Sequence, residues 1–422
     1  MSERDTIRVN GREYRSPDRP VVVLCVDGCE PDYAQSDGGG YLERAMAAQR
    51  MPYLSRALAQ GTRRLADCVI PSFTNPNNLS IVTGVPPRDH GICGNFYLDP
   101  DSGEAVMMND AALLRVPTIL EAFSQAGARI AVVTAKDKLR ALLGKGLCHD
   151  RGKDVCFSAE RSAEASLNDN GIGDVPAWLQ REVPSVYSAA LSEFVLAAGV
   201  ALLEQQRPDI IYLSTTDYIQ HKHPPGSAVA NDFCAMLDDH LARMDASGAI
   251  IALTADHGMK AKHDAGGKAQ IVFLQSLLDE RLGAGRARVI LPITDPYVVH
   301  HGALGSFACV YLQPDLDVDE VMDLLEDQPG LDLMLARDDA AIHFDLAEDR
   351  IGDFIVVSTP HHVIGSTPEQ HDLSALDAPL RSHGGTSEQK VPLFLNRPTP
   401  DLPPDRRLRN YDVFDVALNH AR

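Results

Sequence analysis

Seven side chains in this sequence have the types and spacings to hold metal ions beside a nucleophile. Asp217 and His221 stand in a D-x-x-x-H spacing, Asp256 and His257 are adjacent, and Asp27 precedes a glycine. His383 lies in a Ser-His-Gly-Gly turn, and Thr74 sits in the run PSFTNPNN. Oxygen and nitrogen donors in this mixture suit Zn²⁺ or Mn²⁺, and their number suits two ions rather than one. Two ions roughly 4 Å apart can clamp the attacking and the leaving sides of a phosphoryl transfer. A threonine hydroxyl bound to one of them would lose its proton near neutral pH and become a nucleophile. Taken singly, each residue has a plainer role: a helix cap for Thr74, a turn residue for Asp27, a core or surface side chain for any one histidine. Their joint arrangement is what points to metals. His223 lies beside His221, and the D-x-x-x-H spacing favours His221.

These residues need elements that bring them together. Val21–Val26 is a continuous apolar, β-branched run, as expected of a central parallel strand buried on both faces, and it ends at Asp27. Leu65–Ile70 reads as a strand feeding the Thr74 turn, with an amphipathic segment, Asn78–Thr83, opening a helix. Arg129–Thr134 reads as a strand that delivers Lys136 and Lys138. On an extended segment residues i and i+2 face the same way, so the two ammonium groups make either an anion clamp or a solvated basic loop. Asp209–Ser214 and Ala249–Thr254 read as further strands, ending near Asp217 and Asp256. Helices are expected over Met51–Gln60, Thr118–Gln125, Ser188–Gln205 and Ala228–Met244. This alternation predicts an α/β fold with a doubly wound, mostly parallel sheet, whose strand ends gather the chemistry on one edge.

The remaining segments are less regular. Residues 1–19 read as a polar lead-in with a short edge strand, and 144–185 as a surface excursion. From 263 to 372 the texture changes to an inserted, smaller α+β module with its own small core. Arg288–Leu291, Phe307–Leu312, Val318–Asp327, Leu331–Ala336, Ala341–Phe344 and Asp353–Ser358 read as its short strands around a helix. The core then comprises 1–262 and 373–422, with Val391–Leu395 as its last strand.

Composition narrows the function. The 422 residues carry a formal net charge of −20, which argues against a nucleic-acid binder. The eight cysteines contain no CxxC pair, so they are read as reduced thiols in a cytoplasm. Cys25 and Cys29 flank Asp27 but lack the further partners of a zinc knuckle, and are read as small core residues. A charged N-terminus rules against a signal peptide, and the longest apolar run, Phe194–Leu203, is about half a membrane span. The expectation is a soluble cytoplasmic protein with no membrane or nucleic-acid partner. The sequence leaves monomer and homodimer open.

Together, Asp27, S-F-T-N-P-N-N, the run V-T-G-V-P-P-R-D-H-G-I, Asn95, D-x-x-x-H, D-H-G-M and S-H-G-G resemble the alkaline phosphatase superfamily. The likeness is to its nucleotide pyrophosphatase/phosphodiesterase-like branch and covers roughly residues 20–262 and 375–396. Within that branch, Lys136, Lys138 and the T-N-P-N-N form resemble members that cleave the carbon–phosphorus bond of phosphonoacetate to acetate and phosphate. The resemblance implies one zinc on Asp217, His221 and His383, and another on Asp27, Thr74, Asp256 and His257. It further implies Thr74 as a nucleophile forming a phosphothreonine, Asn95 on a phosphonate oxygen, and Lys136 and Lys138 on the substrate carboxylate. Other divalent ions such as Mn²⁺ suit the same donors. The resemblance also implies that the insert, 263–372, is a cap domain over the site, whose Arg286, Arg288, His300 and His301 are either further anion contacts or surface residues. The alternatives are a phosphodiesterase using the same metals, and a non-catalytic sensor of anionic metabolites. The retained Thr74 weighs against a sensor, which needs no nucleophile.

Overall fold

A computed structural model describes residues 5–36, 38–100, 102–293, 303–374 and 376–422. His300 and His301 lie outside the described residues.

The strand Val21–Cys25 is wholly buried and lies inside an eight-stranded sheet. Across that sheet the strands run Leu408–Arg409, Thr62–Asp67, Lys390–Leu395, Ile250–Thr254, Val21–Cys25, Ile210–Ser214, Ile130–Thr134 and Val155–Ser158. All neighbours pair in parallel except Lys390–Leu395, which is antiparallel to both of its partners. Five adjacent parallel strands, from Ile250–Thr254 to Val155–Ser158, therefore point their carboxyl ends, and the residues after them, at one edge. Reversal of Lys390–Leu395 carries its preceding segment, with His383, to that same edge.

Both faces of this sheet are covered. Successive residues on a strand point to opposite faces, and Leu213 and Tyr212 show what lies on each. Leu213 packs so closely on the helix Ala189–Gln205 that a Cβ at Gly199 would sit 2.6 Å from its methyl carbon. Tyr212 faces the other way, against Asn78 of the helix Thr74–Thr83 and the ring of Phe414. Helices on both faces of a mostly parallel sheet are the doubly wound α/β arrangement.

A second sheet of four antiparallel strands, Ala287–Ile290, Phe307–Leu312, Phe354–Ser358 and Leu331–Ala336, has helices Leu274–Leu282, Val318–Leu325 and Arg337–Phe344 in the same stretch of chain. Its apolar cluster includes Phe307, Val310, Phe354 and Val356, and takes in Ile70, Phe73 and Cys93 from the chain around Thr74.

Six local expectations differ from the structure. The strand before Thr74 is Thr62–Asp67, earlier than Leu65–Ile70; its pairing with Lys390–Leu395 sets the register, and Leu65 is exposed. The helix after it begins at Thr74 and is buried on all sides from Asn75 to Thr83, not amphipathic. The excursion at 144–185 contributes the edge strand Val155–Ser158, too short to show a period. Ala341–Phe344 belongs to a helix, Arg337–Phe344, in which buried Ala340, Ala341 and Phe344 share a face, and Val318–Asp327 is helical over Val318–Leu325 rather than a strand. The lead-in forms its own two-stranded hairpin, Thr6–Val9 with Arg12–Arg15, and no edge of the main sheet.

Candidate metal centre

Each group of ligand candidates is delivered by a different kind of chain turn. Asp27 follows the strand Val21–Cys25 through Gly28, whose φ of 68° suits glycine. A Cβ there would lie 3.2 Å from the Cβ atoms of Asp217 and Gln220, so the missing side chain lets the Asp27 turn approach the helix Tyr218–Lys222. Asp217 precedes that helix and His221 lies on it, one turn apart, with His221 Nε2 2.9 Å from Asp217 Oδ2. Asp256 and His257 follow Ile250–Thr254. His383 approaches from the other side, its Nε2 3.7 Å from the same Asp217 oxygen.

Among the described residues two groups of donor atoms converge, each within 4.8 Å: Asp217, His221 and His383, and Asp27, Asp217 and His257. The first matches the expected set. The second differs, because Asp217 is shared between the groups and Asp256 is not among the converging donors. Asp256 is fully buried, and its carboxylate accepts from the Gly28 N–H (3.2 Å), the His257 N–H (3.0 Å) and Asn78 Nδ2 (3.3 Å). His257 and His383, one from each group, stack with ring centroids 3.6 Å apart and planes 6° from parallel. His223 is in neither group.

The histidine tautomers follow from their partners. Nδ1 of His221 faces the Arg381 carbonyl at 2.7 Å, that of His257 the Gly258 carbonyl at 2.8 Å, and that of His383 the Ser72 carbonyl at 2.8 Å. A carbonyl oxygen only accepts, so in all three rings Nδ1–H donates and Nε2 faces the carboxylates. This is the arrangement by which a hydrogen bond behind an imidazole orients it toward a metal.

The electrostatics also favour a cation. Burial, then Asp217 and Asp256, pushes the Asp27 carboxyl up to about 8. Burial opposes charge on His257, yet Asp256 and Asp27 outweigh it and lift the imidazolium to about 10. Asp217 would be raised by burial, but His221, Lys136 and His383 hold it well below the usual carboxylate range. Asp27 Oδ1 and His257 Nε2 lie 3.2 Å apart, both buried and, among the described residues, neither in a hydrogen bond. A field that raises an imidazole's affinity for a proton attracts any cation, and a divalent ion competes for the same lone pairs. The residues present fit such an ion.

Thr74 is the first residue of its helix, and no side chain caps that helix, so Thr74 is not the cap. Two residues before it, Ser72 is stitched to the His383 turn: its N–H donates to the Gly384 carbonyl and its hydroxyl to that of Gly385, while the Gly384 N–H donates to its hydroxyl. Gly384 has φ 124°, and a Cβ on it would meet the Phe73 ring at 2.4 Å.

The asparagines of this run divide the work. Asn77 ties down the approach to the helix through the Val69 N–H and the carbonyls of Val69, Pro71 and Phe73. Asn78 donates to the Thr74 carbonyl (3.0 Å) and to Asp256, and accepts from the Tyr212 hydroxyl (2.7 Å). Asn78 is a positioning residue that sequence reasoning missed. Its signal was only a second asparagine on a helix expected to be amphipathic.

Asn95 is buried, with its N–H on the Pro292 carbonyl and its side-chain amide 3.4 Å from the Ile293 carbonyl. Only one of that amide's two hydrogens is directed there. Lys136 lies at the site, its ammonium 3.9 Å from Asp217 Oδ1. Lys138 is half-buried on a 3₁₀ turn, Asp137–Leu139, so the lysines are not i and i+2 of one extended segment. Arg286 pairs with Asp315 at the surface, and Arg288 donates to the Gly103 carbonyl.

The chain belongs to the type I phosphodiesterase/nucleotide pyrophosphatase family, whose model matches residues 21–386. Within that class, it is 56% identical to phosphonoacetate hydrolase from Sinorhizobium meliloti, solved with phosphonoacetate and with phosphonoformate. Each alignment covers 100% of both chains, with a TM-score of 0.94. A phosphonoacetate hydrolase of Penicillium oxalicum is 51% identical over 49 residues, 11% of this chain and 68% of that protein's sequence. Murine ectonucleotide pyrophosphatase/phosphodiesterase 5 shares the fold at 16% identity and a TM-score of 0.63, covering 96% of both chains. No helix among the described residues is long and apolar enough to cross a membrane.

Proposed function

We propose that the protein is a metal-dependent hydrolase of phosphonoacetate, breaking its carbon–phosphorus bond to give acetate and phosphate. The observation that carries this reading is Lys136, placed 3.9 Å from a carboxylate shared by both donor groups. A cation beside the metal donors is where a substrate carboxylate next to a bound phosphonate would lie. Full-length similarity to enzymes solved with phosphonoacetate and phosphonoformate supports the same substrate class.

The ions, two Zn²⁺ in this reading, would be held by Asp217, His221 and His383, and by Asp27, Thr74, Asp256 and His257, with Mn²⁺ as an acceptable substitute. When bound, they supply Lewis acidity that lowers the pKa of the Thr74 hydroxyl and neutralises charge on the phosphonate oxygens. Thr74 Oγ1 attacks phosphorus, and the carbon–phosphorus bond breaks with its electron pair passing to carbon. That carbanion is delocalised onto the adjoining carboxylate as an enediolate, and Lys136 and Lys138 stabilise the charge where it develops. Carbon then takes a proton, giving acetate. Asn95 holds a phosphonate oxygen with its second amide hydrogen. Water hydrolyses the phosphothreonine, releasing phosphate and restoring Thr74. Residues 263–372 act as the cap, and the protein works in the cytoplasm, where its eight thiols stay reduced.

The competing reading, phosphodiester or pyrophosphate cleavage, uses the same metals and Thr74 but has no need of a carboxylate clamp. Initial rates on phosphonoacetate and on a nitrophenyl nucleotide ester separate the two. Faster turnover of phosphonoacetate is expected; faster diester cleavage would refute the proposal.

A further inference from the structure

The two ligand-bearing segments, 256–262 and 381–388, are joined by a fully buried ion pair. Lys262 Nζ lies 2.9 Å from Glu388 Oε1, and both side chains are 0% exposed. The second oxygen of Glu388 accepts the Gly385 N–H at 2.9 Å, two residues from His383. The Glu388 carbonyl accepts the Gly258 N–H at 2.7 Å, one residue from His257. Lys262 Nζ also donates to the Pro360 carbonyl at 2.7 Å, in the segment after the strand Phe354–Ser358.

A buried ion pair is a poor way to gain stability, because desolvation of both charges cancels much of their attraction, and an apolar pair often does as well. What this pair does provide is fixed distances. It holds one ligand turn to the other across the His257–His383 stack, and holds both to the 354–360 segment.

We infer that Lys262 and Glu388 are positioning residues that set the spacing of the two metal groups, and with it the affinity for the second ion. The inference rests on the metal reading above. Misplacing a ligand by a fraction of an ångström is expected to weaken metal binding 10–100-fold, the usual cost of losing a supporting contact behind a ligand.

The test compares wild type, Lys262→Met, Glu388→Gln and the double variant, since either single change strands a buried charge and can fail to fold. Zinc stoichiometry and affinity are measured by competition with a chromophoric chelator, and unfolding of the metal-free proteins is measured beside them. The double variant is expected to unfold within a few degrees of wild type, yet to bind its weaker zinc at least 10-fold less tightly. Its kcat on phosphonoacetate should fall with little change in KM at saturating zinc. A double variant whose two zinc affinities stay within 2-fold of wild type would overturn the inference alone. Loss of affinity only in proportion to lost stability would overturn it too, by making the pair merely structural. A wild type that takes up no zinc would overturn it together with the metal reading.

Discussion

Replacing Asn78 by aspartate should be far more damaging than its near-identical shape suggests. The Asn78 amide nitrogen faces two groups that can only accept, the Thr74 carbonyl at 3.0 Å and the Asp256 carboxylate at 3.3 Å. Its oxygen must therefore face the Tyr212 hydroxyl, which donates at 2.7 Å. In Asn78→Asp the donor becomes an anion at the same place. Two unit charges at that separation repel by roughly 5 kcal/mol at an effective dielectric constant of about 20. Rotation of the side chain and uptake of a proton relieve part of this, so a loss of about 2–4 kcal/mol in metal-free stability is expected. Asn78→Ala leaves the Tyr212 hydroxyl and one Asp256 oxygen without a partner, which costs about 1–3 kcal/mol per buried group. Urea unfolding of the chelated proteins reads these losses, which are of similar size near neutral pH, and only that of the aspartate variant shrinks as pH falls. Zinc affinity should drop about 10–100-fold in either variant as Asp256 loses its support. An aspartate variant as stable as wild type near neutral pH, or one that binds zinc more tightly than wild type, would refute this account of Asn78.

Three further outcomes follow from the same geometry. Thr74→Ala should abolish phosphate release from phosphonoacetate, by at least about 10³-fold, while zinc stoichiometry stays unchanged and Thr74→Ser restores part of the rate; an active alanine variant would exclude the phosphothreonine. Lys136→Ala removes a positive charge 3.9 Å from Asp217, so zinc binding should hold or tighten while kcat/KM on phosphonoacetate falls about 100-fold or more; parallel losses of zinc and activity would contradict the clamp. His90 is buried, with burial pulling its pKa from 6.5 to about 3, and Ser80 and the Ile92 N–H hold it neutral. Below pH 6.5 the unfolded chain binds this proton and the folded chain does not. The His90 contribution to stability is therefore intact above pH 6.5 and is lost as pH falls toward 3, at up to about 1.4 kcal/mol per unit. His90→Gln should flatten that slope in urea titrations at pH 4–6.

Much of this site is written in short, local patterns. Val21–Val26 shows its burial in its composition, and Asp27, Asp217 and Asp256–His257 follow strands whose apolar runs are unmistakable. Parallel pairing then does the rest, because it sends every carboxyl end to one edge. The features that escaped depend on long-range pairing. His383 itself is legible in its Ser-His-Gly-Gly turn, but its route to the edge, through the antiparallel strand after it, is not announced by the sequence. The Val155–Ser158 strand is four residues of sheet margin, and the helix at Thr74 is buried all round, so neither carries a period. Sharing of Asp217 between both donor groups, and the Lys262–Glu388 pair that links their segments, exist only once distant turns have met. The Asp137–Leu139 turn shows the same limit, since two lysines two residues apart face one way only if the chain stays extended.

The most direct test of the central claim is phosphate release from phosphonoacetate by zinc-loaded protein. A chelated sample and methylphosphonate, which lacks the carboxylate, serve as controls. The account predicts release only with metal and only from the carboxylated substrate. Release that survives chelation would contradict the metal centre. Equal release from methylphosphonate would contradict the lysine clamp, and no release from zinc-saturated protein would contradict phosphonoacetate as its substrate.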